Sequence, residues 1–372
     1  MSSIRPMEAR DIVAVADLYE LVIRSGRPAA PPELVRYVER LTFDQPSADP
    51  DLPSLVYDDP GEGILGFIAA YPRRFVHGNA PVRVVCSGQL VAHPDARSQG
   101  VGALLLRKLL AGPQDLTLTD GATDEVRVMW ERLGGVSNAI ASTGWTRILS
   151  PARHRAEAVA RRLRLGHAPA PGAWRTLDRA VRRRRAPATG GAGPGADGAI
   201  APATSRPLAT STVIDELPRL ARRFPLRPAY DADMLEHLFT EMAEVTSRGP
   251  LVRREVRHAD DRCAGWYVAY VPPGGVAQVV HIAGADIDVV LETLAADAEE
   301  AGATALQGRI DPYIHPFVRD DRYRLRPTYW SLVHARDPAV LGAVLGGQAL
   351  LTRMDGEWWM GHHRVDAATS TR

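Results

Sequence analysis

The residues most able to do chemistry stand in one short stretch, Arg97-Ser98-Gln99-Gly100-Val101-Gly102. Two glycines at alternate positions, where an apolar helical spacing begins, let the backbone turn sharply and leave its first N–H groups uncovered by side chains. Those N–H groups and the positive end of the helix dipole favour an anion, phosphate above all, and Arg97 adds charge at the rim. A nucleotide-binding loop of the Walker type would close on Gly-Lys-Ser/Thr, which is absent, and the dinucleotide fingerprint would need a third glycine. By itself the loop also fits an ordinary strand-to-helix turn.

The elements that must hold this loop can be read on either side of it. Val84, Val85, Leu90 and Val91 form an apolar, β-branched run that Pro94-Asp95 breaks, and from Val101 the residues Leu104, Leu105, Leu109 and Leu110 recur at helical spacing. Upstream, Ile64 to Val76 and Leu52 to Tyr57 are strand candidates joined through Asp58-Asp59-Pro60-Gly61. Downstream, Asp115 to Thr119 reads as a strand and Met129-Trp130-Glu131-Arg132-Leu133-Gly134-Gly135 as a helix and its end. Ile4 to Met7 leads into a helix running to about Ser25, and Pro31-Pro32 opens a second helix with Leu34, Val35, Val38 and Leu41 on one face.

The loop and this order of elements resemble the R/Q-x-x-G-x-G/A loop and strand–helix succession of the GNAT N-acetyltransferase superfamily. The resemblance implies an acyl-CoA co-substrate, acetyl-CoA or another, with the pyrophosphate on the N–H groups of Gln99 to Gly102. The pantetheine arm would lie along Leu90, Val91 and Ala92, so the implied cofactor-binding set is Leu90, Val91, Ala92, Arg97, Ser98, Gln99, Gly100, Val101 and Gly102. The first two helices would roof the acceptor site. An acceptor amine would attack the thioester directly, with a base to take its proton. At two points the chain departs from the family. Trp130 stands where the family has an acidic tyrosine, and the strand position that often carries a glutamate falls near Cys86 or Ser87. Asp120 is the nearest carboxylate to serve as base, and it also suits a turn before Gly121. The missing tyrosine keeps a non-catalytic acyl-CoA-binding or scaffold protein open as the alternative to an enzyme.

At 372 residues the chain suits two domains, and 45% hydrophobic with 24% charged residues is ordinary for a globular protein. A formal net charge of +1 speaks against nucleic acid or an acidic membrane surface as partner. Two distant cysteines, Cys86 and Cys263, predict neither a disulfide framework nor a metal site. The charged opening MSSIRPMEARD predicts no signal peptide, and no apolar run reaches the roughly 18 residues of a membrane span. The expectation is a cytoplasmic acyltransferase, monomer or homodimer, acting on a small-molecule amine.

Ala186 to Ser205 is rich in Gly, Ala, Pro and Thr and reads as a linker, preceded by the basic run Arg182 to Arg185, which we read as a solvated helix end. Beyond it the order of elements returns: helices at Val213 to Phe224 and Ala232 to Val245, and a hairpin at Pro250 to His258 and Cys263 to Val271. A strand at Val276 to Ala283, a helix at Asp286 to Ala301, a strand at Ala305 to Ile310, a short helix at Tyr313 to Val318 and a strand at Tyr329 to His334 complete it. This is an internal duplication. The expected fold class is α/β, an α+β mixed sheet in two tandem GNAT-like domains: residues 1–165 with the acyl-CoA site, 166–205 as basic helix and linker, and 206–372 lacking the pyrophosphate loop. The second copy is expected to close the acceptor pocket. Cys86 and His93 read as core and solvated loop. Trp358-Trp359 and His362-His363 read as a packed final strand with a polar tail.

Overall fold

The computed structural model describes residues 2–24, 26–162, 203–318 and 320–360. The first half runs β1 (Ser3–Pro6), α1 (Ile12–Tyr19), α2 (Pro32–Thr42), β2 (Leu55–Asp59), β3 (Gly63–His77), β4 (Ala80–Ala92), α3 (Val101–Leu110), β5 (Leu116–Ala122), α4 (Asp124–Arg132), β6 (Val136–Ser137), β7 (Thr143–Ile148) and α5 (Pro151–Arg162). The second runs β8 (Ala203–Pro207), α6 (Thr210–Glu216), β9 (Leu226–Pro228), α7 (Ala232–Ala243), β10 (Leu251–His258), β11 (Cys263–Tyr270) and β12 (Val276–Gly284). It continues with α8 (Ile287–Glu300), β13 (Ala305–Arg309), β14 (Tyr323–Pro327), β15 (Trp330–Ala335) and α9 (Pro338–Leu345). Among the described residues no helix is long and apolar enough to cross a membrane.

Two mixed sheets result, and each is completed by a strand from the other half of the chain. In the first, the order is β1-β2-β3-β4-β5-β15-β6, with β9 beside β3; in the second it is β14-β7-β13-β12-β11-β10-β8. β15 lies between β5 and β6 with Val333 opposite both Leu118 and Val136, while β7 lies between β13 and β14 with Trp145 opposite Gly308 and Leu325. The exchange of β7 and β15 between the two halves of the chain is therefore reciprocal. The compact units cut across the linear halves: one holds the described residues of Met1–Ser142, Ala221–Glu241 and Thr328–Gly361, the other those of Thr143–Leu220 and Met242–Pro327.

Three local expectations change. α1 ends at Tyr19 and continues as a π-turn over Glu20–Arg24. The linker gives way to β8 at Ala203, whose backbone pairs with β10 from Arg254 to His258. Residues 353–360 form successive turns instead of a final strand, with Trp359 buried and Trp358 half-buried. Arg182 to Arg185 and His362-His363 lie outside the described residues.

The first core explains how the loop is held. Val101, Leu105, Leu106, Leu109 and Leu110 form the buried face of α3, and Gly66 lets that helix close on β3, because a Cβ there would lie 2.5 Å from Val101 Cγ1. Trp130 is 1% exposed and donates its indole N–H to Val333 O at 3.0 Å. Its ring occupies the space beside Gly135, where a Cβ would fall 1.8 Å from Trp130 Cδ1. Gly135→Ala should therefore destabilise the protein by roughly 1–3 kcal/mol through overpacking against a ring with no room to move. Urea unfolding of the variant measures this; an unchanged midpoint would refute the packing argument.

Candidate active site

Parallel strands β4 and β5 are paired only from Val84–Cys86 to Leu116–Leu118. Past that point they part, so the backbone groups facing the gap must find partners elsewhere. The opening begins at a bulge: in the register with β3, Phe67 faces Val91 and Ala69 faces Gly88, which leaves an extra residue on β4. Gln89 sits in that bulge with φ of 44°, a conformation few residues other than glycine adopt.

What fills the root of the gap is Glu357, from the 353–360 turns. Its Oε2 accepts the Gln89 N–H at 3.0 Å, its Oε1 accepts the Thr119 hydroxyl, and the Gly121 N–H adds a further bond. Both strands clear space for it. A Cβ at Gly88 would lie 2.7 Å from Glu357 Oε2, and one at Gly121 would lie 3.3 Å from Glu357 Cδ. The turn that carries Glu357 is pinned on both sides. Asp120 Oδ1 accepts the Trp358 N–H at 2.9 Å, the fully buried Asp355 accepts the Tyr230 hydroxyl and the Thr352 N–H, and Arg353 stacks on Trp358 at 4.1 Å.

Glu357 is half-buried, with its carboxylate held at the root of the gap by Gln89, Thr119 and Gly121. Burial first, opposed by the Thr119 bond and helped by the Asp120 charge, pushes its pKa up to about 7. Burial also raises the thiol of Cys86 and the phenol of Tyr71, so both stay protonated at neutral pH. Cys86 is thus an inert core thiol, as its place in an apolar strand implies.

The phosphate-loop residues follow directly from β4. Leu90 and Ala92 are half-buried and Val91 is buried. Pro94–Gln99 forms a 3-10 turn, Gly100 takes the left-handed conformation at φ 72°, and Val101 and Gly102 open α3. Nothing but Leu90 Cδ2, at 3.9 Å, stands within 4 Å of a Cβ built on Gly102, so the space before the first turn is open. In the other half the equivalent turn is closed. Gly284 lies hard against β11, with a Cβ position 2.4 Å from Ala264 O. Asp286 then puts its own carboxylate before α8, bound by His258 at 2.7 Å and Arg262 at 2.9 Å. An anion there would meet a negative charge.

The sequence offered Asp120 as the base and the loop as the phosphate site; it offered no sign of Glu357. It is 237 residues from Asp120, in a segment whose only visible signals were paired tryptophans and histidines. The conformational signal for it is the pair of glycines, Gly88 and Gly121, that face a third element.

The raised pKa of Glu357 has a consequence for stability. A carboxyl whose folded pKa exceeds its unfolded value stabilises the fold below the unfolded pKa, near 4.5, and loses that contribution as pH rises through about 7. Glu357→Gln should therefore gain stability over the wild type between pH 5 and pH 8, on the order of 2 kcal/mol after allowing for the partly open side chain. The difference between the two proteins isolates the group, because buried His281, with its pKa lowered to about 3, acts in the opposite sense in both. Urea midpoints at the two pH values test it, and parallel curves would mean that Glu357 titrates normally.

Comparison with known proteins adds a family match for part of the chain. The sequence model of the acetyltransferase (GNAT) family matches residues 15–119. A probable N-acyltransferase of Enterococcus faecalis V583 superposes with a TM-score of 0.55 at 9% identity, covering 90% of this chain and 73% of that one. A GCN5-related N-acetyltransferase from Anabaena variabilis ATCC 29413 superposes with a TM-score of 0.56 at 9% identity, covering 91% and 73%. At that identity the likeness is one of fold. A search of curated proteins returned no match. The matched segment begins within α1 and ends within β5, so the glycine loop before α3 and the parting strands lie inside it.

Proposed function

We propose that this protein transfers an acyl group, acetyl in the simplest case, directly from CoA to the amine of a small molecule, with Glu357 as the general base. The observation that carries this reading is the enclosed Glu357 carboxylate at the root of the β4–β5 gap, with a pKa of about 7. The pyrophosphate would rest on the N–H groups from Gln99 to Gly102, with Arg97 and Ser98 in the turn beside them. The pantetheine arm would follow Leu90, Val91 and Ala92 toward the gap. The amine nitrogen attacks the thioester carbonyl, the C–N bond forms and the C–S bond breaks. Glu357 takes the proton the amine releases and returns it to the departing CoA thiolate, which balances the step without a tyrosine at position 130. Asp120, bonded to the Trp358 N–H, positions the turn and raises the affinity of Glu357 for a proton.

A base of this pKa puts an inflection near 7 in the pH dependence of kcat/KM, with activity lost below it. Glu357→Gln should lower kcat/KM about 10²–10⁴-fold and remove that inflection, while acetyl-CoA affinity stays within a few-fold. Acceptor-dependent release of CoA between pH 5.5 and 9 measures both, and a variant with the wild-type profile would remove Glu357 from the chemistry. The loop has its own test. Gly102→Glu fits the fold, because the site around it is open, but it places a carboxylate where the pyrophosphate would bind. Calorimetry should show acetyl-CoA affinity reduced at least ~10-fold; equal affinity would exclude this loop as the phosphate site.

A further inference from the structure

Three donors meet at the root of the β4–β5 gap, and all of them end on Glu357: the Gln89 N–H at 3.0 Å, the Thr119 hydroxyl and the Gly121 N–H. None of these is left for the carbonyl oxygen of a thioester, which gains negative charge as an amine attacks. A fourth donor stands beside them. The side chain of Gln89 accepts the hydroxyl of Tyr71 on its Oε1. That phenol is buried and held protonated, and it has no other acceptor among the described residues, so its proton fixes which way the carboxamide is turned. The Nε2 end faces away from Tyr71, and among the described residues nothing accepts its hydrogens.

Gln89 holds this place at a cost. Its φ of 44° is left-handed, and the other described non-glycine residue of positive φ, Asp261, lies in the turn between β10 and β11, where an aspartate adopts such a backbone readily. Gln89 instead occupies a bulge within β4, a position that glycine fills without strain. A side chain kept there against its backbone points to a use for that side chain. The backbone N–H of the same residue ends on the base, so the Nε2 donors lie within one side-chain length of the Glu357 carboxylate. Gln89, Tyr71 and Glu357 belong to one compact unit. We propose that the Gln89 carboxamide is the oxyanion donor of the reaction. As the amine nitrogen bonds to the thioester carbon, the C=O electron pair moves onto oxygen and is met by Nε2–H; it returns when the C–S bond breaks. Tyr71 acts through Gln89, as a positioning residue. The proposal rests on the acyl-transfer reading and adds the group that stabilises its transition state.

Two variants separate donation from packing. Gln89→Met keeps the bulk and removes the donors, and Gln89→Met combined with Tyr71→Phe also leaves no hydroxyl stranded in the core. The probe acceptor is whichever of 2-phenylethylamine, spermidine and glucosamine the wild type acetylates fastest. Both variants should lower kcat about 10²–10³-fold, with the calorimetric Kd for acetyl-CoA within about twofold of wild type and the pH inflection near 7 retained. Tyr71→Phe alone, which frees the carboxamide to turn, should lower kcat less and leave Kd unchanged. Infrared spectroscopy of acetyl-CoA isotope-labelled at its acetyl carbonyl reads the contact without turnover. The carbonyl stretch should fall below that of free acetyl-CoA in the wild type and return toward it in Gln89→Met. Wild-type kcat in either Met variant, loss of the inflection together with kcat, or a stretch indifferent to the substitution would overturn the proposal. Failure of acetyl-CoA to bind the wild type would instead sink the acyl-transfer reading beneath it.

Discussion

Much of the first unit depends on a single constraint: two parallel strands that pair over only three residues and then separate. Beyond the fork, β4 stays paired with β3 and β5 with β15, but the backbone groups that face the gap have no strand opposite them, and a buried N–H without a partner costs on the order of 1–3 kcal/mol. The chain meets this at the root of the fork with Glu357, which accepts from Gln89, Gly121 and Thr119. The bulge at Gln89, the glycines at 88 and 121 and the pinned turn at 352–360 are all means to the same end. Toward the open end, Leu90 to Ala92 lead straight into the glycine loop before α3, so in the proposed function one fork would hold the acyl carrier and keep a carboxylate at its closed end.

The reciprocal exchange of β7 and β15 makes each sheet depend on chain from the other half. β15 separates β5 from β6 in the first sheet, and the Trp130 indole bonds to its Val333 carbonyl. The segment that follows β15 then carries α9 and the turns that bear Glu357. The first unit cannot complete its sheet or its site from residues 1–142 alone, since both depend on chain contributed after residue 328. Closure of the second half's turn by Asp286 and Gly284 is consistent with a copy kept for its strands.

What the sequence made legible was local. The loop, α3 with its leucines, the proline-started α2 and the succession of strands all follow from periodicity, glycine placement and capping, which act within a few residues. The features it hid are long-range or backbone-governed: β14, five residues of which two are arginines; β8, short and polar; and the exchange of strands, since a strand's pattern does not name its neighbour. Glu357 belongs to this class. Nothing in Asp-Gly-Glu-Trp-Trp marks the glutamate as buried, because its burial is decided by two glycines on strands more than 230 residues earlier. Trp130 is the converse case. Its identity excludes the family's usual proton donor, and the structure shows that its indole serves packing, with the ring against Gly135 and the N–H committed to β15.

That commitment bears on how the proposed reaction balances its protons. With a core tryptophan in place of a tyrosine, and with the Tyr71 phenol held protonated by burial, Glu357 is, among the described residues of the fork, the group best matched to the thiolate. An ordinary thiol titrates near 8.5, so a carboxylic acid with a pKa of about 7 is strong enough to protonate CoA as it leaves and, when ionised, basic enough to accept a proton from an amine that becomes far more acidic as its bond to carbon forms. An exposed glutamate, near 4.3, would be a poor base for the first transfer. Burial that costs the fold stability at neutral pH is the same burial that brings both transfers close to thermoneutral, and proton transfer is most efficient when donor and acceptor are matched in this way.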